Sequence, residues 1–167
     1  MKTFFLIVLS LCPTAFAFIE LRRKERVRKV LLHTEYMFLR LAKIIAATPQ
    51  EAKWLFNALY NSDVMSEFAK TVFQKLENEA SFAQAWTEAL FADKELSILP
   101  QEILLELKLF AKDFGLGNIT QQCDLCNQFA RFCAGEAQLR MQQMEKNRKL
   151  YLSAGVLMGG MVFILLF

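Results

Sequence analysis

The sequence predicts an all-α protein, an antiparallel bundle of about six helices flanked by N- and C-terminal transmembrane helices. Three observations carry this. Only 6 Gly and 3 Pro punctuate the 167 residues, too few for the many turns of a sheet protein. Apolar residues recur at three- and four-residue steps through the middle of the chain. Two stretches without any charge, 3–19 and 150–167, bracket that middle. The expected organisation is an N-terminal transmembrane segment over 1–20, a helical bundle over 21–149 and a C-terminal transmembrane segment over 150–167.

As helices the two uncharged stretches would be roughly 26 and 27 Å long, near the lower limit for crossing a hydrocarbon core of about 30 Å. Gly155 and Gly159 give the second stretch a spacing that lets helices approach closely. Pro13 is tolerable in a membrane helix, as a kink. Lys2, the apolar run and Ala15-Phe16-Ala17 also imitate a cleavable signal peptide, so an exported, tail-anchored helical protein is the alternative. The basic residues decide between the two. Within residues 21–30, Arg22, Arg23, Lys24, Arg26, Arg28 and Lys29 stand with only Glu25 opposing them, and Lys146, Arg148 and Lys149 precede the second stretch. Positive charge on both inner flanks predicts a multi-pass membrane protein whose middle domain faces the cytoplasm.

Between the flanks the helices follow in order. The first runs over about 20–46, with Val27, Val30, Leu31, Phe38, Leu41, Ile44 and Ile45 as one apolar stripe. Thr48, Pro49 and Glu51 form a start signal for the second, which should bury Ala52, Leu55, Phe56 and Leu59. Asn61-Ser62-Asp63 breaks the chain before a third helix carrying Met65, Phe68, Val72 and Leu76. Ser81 and Gln84 match a capping box for a fourth, with Phe82, Ala85, Trp86, Ala89 and Leu90 on one face. Pro100 opens a fifth, with Ile103, Leu107, Phe110, Ala111 and Phe114 together, and Gly115 ends it. Asn118 caps the last, with Gln121 three residues on, and nothing interrupts the chain from there to the final apolar stretch.

No constellation for catalysis stands out, and neither an enzyme nor a cofactor is expected. His33 is the only histidine, so a two-histidine metal site is impossible. Cys123 and Cys126 stand in a C-x-x-C, with Cys133 further on, and a thiol-dependent redox or metal protein is the remaining alternative. The three sulfurs share a helical stripe with Ala130, Ala137, Met141 and Met144, however, and free Cys packs as a small hydrophobe. Gly115-Leu116-Gly117 lacks the Lys-Ser/Thr of a phosphate loop. Asn118-Ile119-Thr120 matches a glycosylation acceptor, which helix capping explains better. The carboxylates Glu77, Glu79, Glu88, Asp93 and Glu95 read as scattered solvated positions rather than an acid–base pair. A net charge of only +3 gives no case for nucleic acid, whereas bases gathered beside apolar ends suit an anionic lipid surface.

The sequence resembles stage III sporulation protein AB of endospore-forming bacteria. The likeness runs through Ala47-Thr48-Pro49-Gln50-Glu51-Ala52 and Ala85-Trp86-Thr87-Glu88-Ala89-Leu90. It continues in Phe114-Gly115-Leu116-Gly117-Asn118 followed by Gln122, and in Glu145-Lys146-Asn147-Arg148-Lys149 leading to Gly155-Val156-Leu157. The family pattern has Ser-Asp where this chain has Gly117-Asn118, and an earlier Gly where it has Ala111. Asn caps a helix as Asp does, so the departure touches a carboxylate contact and not the fold. The resemblance implies a likeness to the platform protein F of type II secretion systems and a place in the mother-cell membrane around the forespore. It also implies partners: a cytoplasmic secretion-type ATPase, stage III sporulation protein AA, other stage III channel proteins, membrane lipid, and a possible homo-oligomer.

Overall fold

The computed structural model describes the backbone of residues 2–47, 51–62, 65–78 and 80–166, and within these the side chains from 19 to 147 apart from Ser66. Six α-helices and one short 3-10 turn make up the described chain, without a strand. They are α1 (Lys2–Ala47), α2 (Ala52–Tyr60), α3 (Ser66–Glu77), α4 (Phe82–Ala92), the 3-10 turn Leu96–Ile98, α5 (Gln101–Asp113) and α6 (Ile119–Leu166). Residues 29–137 form one compact unit and residues 1–28 with 138–167 another. Among the described residues no helix is long and apolar enough to cross a membrane. The predicted transmembrane helices of 1–20 and 150–167 fall almost wholly on residues whose side chains lie outside the described set, although the described backbone, 2–20 and 150–166, is helical.

Local chemistry explains most of the boundaries. At α4 the Ser81 hydroxyl accepts from the Gln84 amide at 3.3 Å, satisfying one of the orphan donors of a helix start. The reciprocal half of the expected box is missing, because the Gln84 side chain donates forward to Glu88 at 3.0 Å. At α6 the box is complete. Asn118 Oδ1 accepts from the Gln121 amide and Gln121 Oε1 accepts from the Asn118 amide, both at 2.9 Å. The Gln121 side chain lies over Gly117, where any Cβ would collide with it, and Gly117 has φ +96°. Gly117 thus serves the cap twice, by its left-handed backbone and by its missing side chain.

Gly115 (φ +87°) occupies the third position of a turn in which the Leu116 amide donates to the Asp113 carbonyl at 3.1 Å. With Phe114 extended at φ −68°, ψ 130°, this is a type II turn, which needs a positive φ there. Two expectations shift. The second helix begins at Ala52 with Glu51 as its cap residue and no side-chain cap bond, not at Pro49; Thr48, Pro49 and Gln50 lie outside the described residues. The third is preceded by Met65 in the left-handed region at φ 47°, unusual for a residue with a long side chain. Met65 is half-buried and leads straight into α3.

An aromatic cluster centres the 29–137 unit. Trp86 is 1% exposed, its ring edge-on to Phe68 at 5.0 Å and tilted against Phe110 at 4.8 Å. Phe38 of α1 meets Phe110 at 4.9 Å and Phe129 of α6 at 5.6 Å, and Phe82 meets Phe114 at 4.5 Å. The rings tie α1, α3, α4, α5 and α6 together. Trp86 donates its indole N–H to the Leu107 carbonyl at 2.9 Å, so its polar edge is buried without penalty. Removing such a ring from water is worth on the order of 5 kcal/mol. The predicted stripes are buried as expected except at their margins: Ile44, Ala52, Met65, Leu76, Phe82, Cys123 and Met144 are half-buried and Met141 is exposed. At the margins a helical stripe outruns the neighbour that covers it.

Candidate interaction surface

Of the predicted membrane-flanking bases, Arg23, Arg26, Lys29 and Lys146 are exposed, and Lys24 is half-buried. Arg28 donates twice to Glu25, Nε at 3.0 Å and Nη2 at 2.8 Å, a bidentate bond that raises the guanidinium pKa and shortens its reach toward any outside anion. Arg22 is exposed but already engaged within the protein. Arg148 and Lys149 have side chains outside the described residues. The basic collar of α1 is thus uneven: one member is neutralised by its own helix, and the outward bases are Arg23, Arg26 and Lys29.

The remaining singled-out positions are architectural. Trp86 is the hub of the aromatic cluster, Gly115 makes the turn after α5, Asn118 caps α6, and Gln122 reaches back to the Gly117 carbonyl at 3.5 Å. Cys126 and Cys133 are fully buried, and Cys123 is half-buried with its thiol toward the Ala42 carbonyl at 3.5 Å. Burial pushes the thiols of Cys126 and Cys133 up to about 12, with neighbouring Cys123 adding to the first and Glu35 and Glu136 to the second. A thiol held so far from ionisation is a poor nucleophile at neutral pH. The sulfurs instead pack the seam where α6 meets α1, as the stripe predicts.

The carboxylates are less scattered than the sequence implies. Lys75 of α3 donates to Glu88 of α4, and with Gln84 it lowers the Glu88 pKa. Lys53 of α2 faces Glu77 of α3 at 3.6 Å. Asp93 accepts from the amides of Glu95 and Leu96 at 2.8 and 2.9 Å, fixing the loop after α4. That loop, α3 and exposed His33 of α1 line an open depression of about 560 Å³, with Glu67, Asp93 and Glu95 around Lys94. Glu79 lies outside the described residues. The depression has a mixed lining, with Met65, Phe68 and Ala92 beside the charged side chains.

One surface escapes a reading based on the buried stripes. Leu32, Tyr36 and Leu39 are exposed on the outward side of α1, and Leu105 and Leu109 on the outward side of α5. Their steps of four and three are the signal that could have found them, a second apolar stripe on helices whose first stripe was already assigned.

The comparisons with known proteins fall on one side only. A family model described as Stage III sporulation protein AB matches residues 2–167. No curated protein and no solved structure matches the chain.

Proposed function

On the premise that this chain belongs to the stage III sporulation protein AB family, we propose that it is a non-enzymatic membrane platform in a sporulation channel complex. In this reading the bundle is an adaptor. It receives a cytoplasmic ATPase, stage III sporulation protein AA, and couples it to a channel between mother cell and forespore. Residues 3–19 and 150–167 anchor it in the mother-cell membrane around the forespore. The observation that carries the reading is the placing of charge: exposed bases next to two uncharged termini, and an acidic excess over the middle of the chain, 11 acids against 6 bases in residues 51–113.

Each base near an anionic surface adds about 1 kcal/mol of attraction, so Arg23, Arg26 and Lys146 together hold the bundle against lipid headgroups. α6 is one helix from Ile119 to Leu166, which gives force on the bundle a stiff route to the anchor. The buried, protonated thiols suit a protein held together by packing rather than by disulfides.

The test is in two parts. A reporter enzyme active only in the cytoplasm, fused within 21–149, should be active, and N-terminal sequencing should find the chain uncut. Activity solely outside the cytoplasm, or a chain beginning at Phe18, overturns the topology. A flexible insertion near Arg148 should abolish sporulation while leaving the bundle folded, and unimpaired sporulation would refute transmission along α6.

A further inference from the structure

Two outward faces of the 29–137 unit are complementary to each other. On α1, Tyr36 is 57% exposed between Leu32 and Leu39, and Lys29, Arg40 and Lys43 are exposed on the same side of the helix. At 100° per residue these six positions span less than a third of the helix circumference, and the half-buried Glu35 falls on its opposite margin. On α5, Leu105 is 50% exposed beside Leu109, and Glu102, Glu106 and Asp113 are exposed along one flank of that pair. Lys108 and Lys112 keep to the other flank.

Neither face is used by the bundle. Among the described residues, no ion pair engages Lys29, Arg40, Lys43, Glu102, Glu106 or Asp113. The ion pairs α3 makes with α2 and α4 lie on other surfaces. Apolar side chains standing in water beside unpaired charge are the composition of an interface core and rim awaiting a partner.

We infer that the basic, Tyr36-centred face of α1 docks onto the Leu109 side of α5, where Glu102, Glu106 and Asp113 lie, in a second copy of this chain. The occupant is fixed by charge. A face with three bases and no exposed acid between its leucines repels its like, so an α1–α1 dimer is disfavoured, and the chain itself supplies the opposite pattern. Because the two faces differ, each copy takes one neighbour on α1 and offers α5 to another. Such a head-to-tail contact closes into a ring when the rotation between copies permits, an arrangement suited to a platform in a membrane. The inference is independent of the ATPase reading and can fail without it.

The test uses the full chain in detergent micelles with Cys12 and Cys123 replaced by Ala. A Tyr36→Cys chain and a Leu105→Cys chain, mixed and treated with a short bis-maleimide, should cross-link to a dimer, and neither should do so alone. Charge reversal supplies the second measurement. Arg40→Glu with Lys43→Glu should weaken association by about tenfold, as should Glu102→Lys with Glu106→Lys, and combining all four in one chain should restore it. Sedimentation reads the size and circular dichroism the fold. Cross-linking of the Tyr36→Cys chain with itself, a monomer at every concentration, or failure of the combined reversal to recover association would each overturn the inference. So would loss of sporulation on reversing α1 with no change in particle size, which would assign the face to a different protein. If the reversed chains lose their helical signal, the cross-linking result decides alone.

Discussion

The two halves of the bundle core are built on opposite principles. Around α4 and α5 the core is aromatic: Trp86, Phe82, Phe110 and Phe114 lie within stacking or edge-to-face distance, reached by Phe38, Phe56 and Phe68. Where α6 meets α1, small side chains predominate beside one ring pair, Phe38 with Phe129: Cys126, Ala130, Cys133 and Ala137 are buried, and Cys123 reaches the backbone of Ala42. Large rings supply area and tolerate several mutual tilts. Small side chains supply closeness and leave no slack for an added atom. The aromatic half should therefore fail by losing mass and the seam by gaining it.

The largest effect is expected from Trp86→Ala. It removes the hub ring and its bond to the Leu107 carbonyl, and should cost about 4 kcal/mol or more in urea denaturation, enough to unfold a bundle of ordinary stability. Trp86→Phe should recover much of that loss. The seam should respond the other way: Cys133→Leu should cost roughly 1–3 kcal/mol by overpacking, although Leu is the more hydrophobic residue. Equal tolerance of Leu at Cys133 would erase the contrast.

Titration separates the halves further. The folded-state pKa values of Cys126 and Cys133 are raised to about 12, so the folded chain binds more protons than the unfolded chain once the pH exceeds the ordinary thiol value. Their contribution is intact below that value and is lost as pH rises toward 12, at up to about 1.4 kcal/mol per pH unit for each thiol. Urea denaturation at pH 8 and pH 10.5 should show this loss, and a Cys126→Ala, Cys133→Ala chain should show much less of it. Maleimide labelling at neutral pH should reach Cys123 well before the other two.

Smaller effects lie at the edges. Asn118→Ala should cost about 1 kcal/mol by opening the α6 cap. Gly117→Ala should cost at least as much, because a Cβ there displaces Gln121 and opposes a positive φ. The smallest change is expected from Lys75→Ala, which frees an exposed Glu88. The pKa of Glu88 is lowered by that lysine, so this pair's contribution is present above the ordinary carboxylate range and fades as pH falls through it. Salt should erase it as well.

Much of this was legible in the residues. The apolar period located the six helices of the described residues because a helix facing a core needs a stripe every three to four residues, whatever covers it. Ser81, Asn118 and Gly115 marked ends because capping and turn geometry involve only residues three or four apart. The common stripe of Cys126, Cys133, Ala130 and Ala137 predicted buried thiols for the same reason. The start of α2 was misplaced by three residues, since Thr48-Pro49-Gln50-Glu51 satisfies the local rule at Pro49 while the helix begins at Ala52.

What the sequence by itself determined, then, is everything that depends on near neighbours along the chain: helix count, caps and the side of each helix that seeks cover. The tertiary structure alone decided which cover was available. Leu32, Tyr36, Leu105 and Leu109 are as apolar as many core residues, yet they stay exposed because no helix of the described bundle lies over them. Lys75 meets Glu88 across 13 residues and Cys123 meets Ala42 across 81, pairings that a local period cannot encode. Periodicity is written in each helix separately, whereas burial belongs to pairs of helices, and only their packing brings such pairs together.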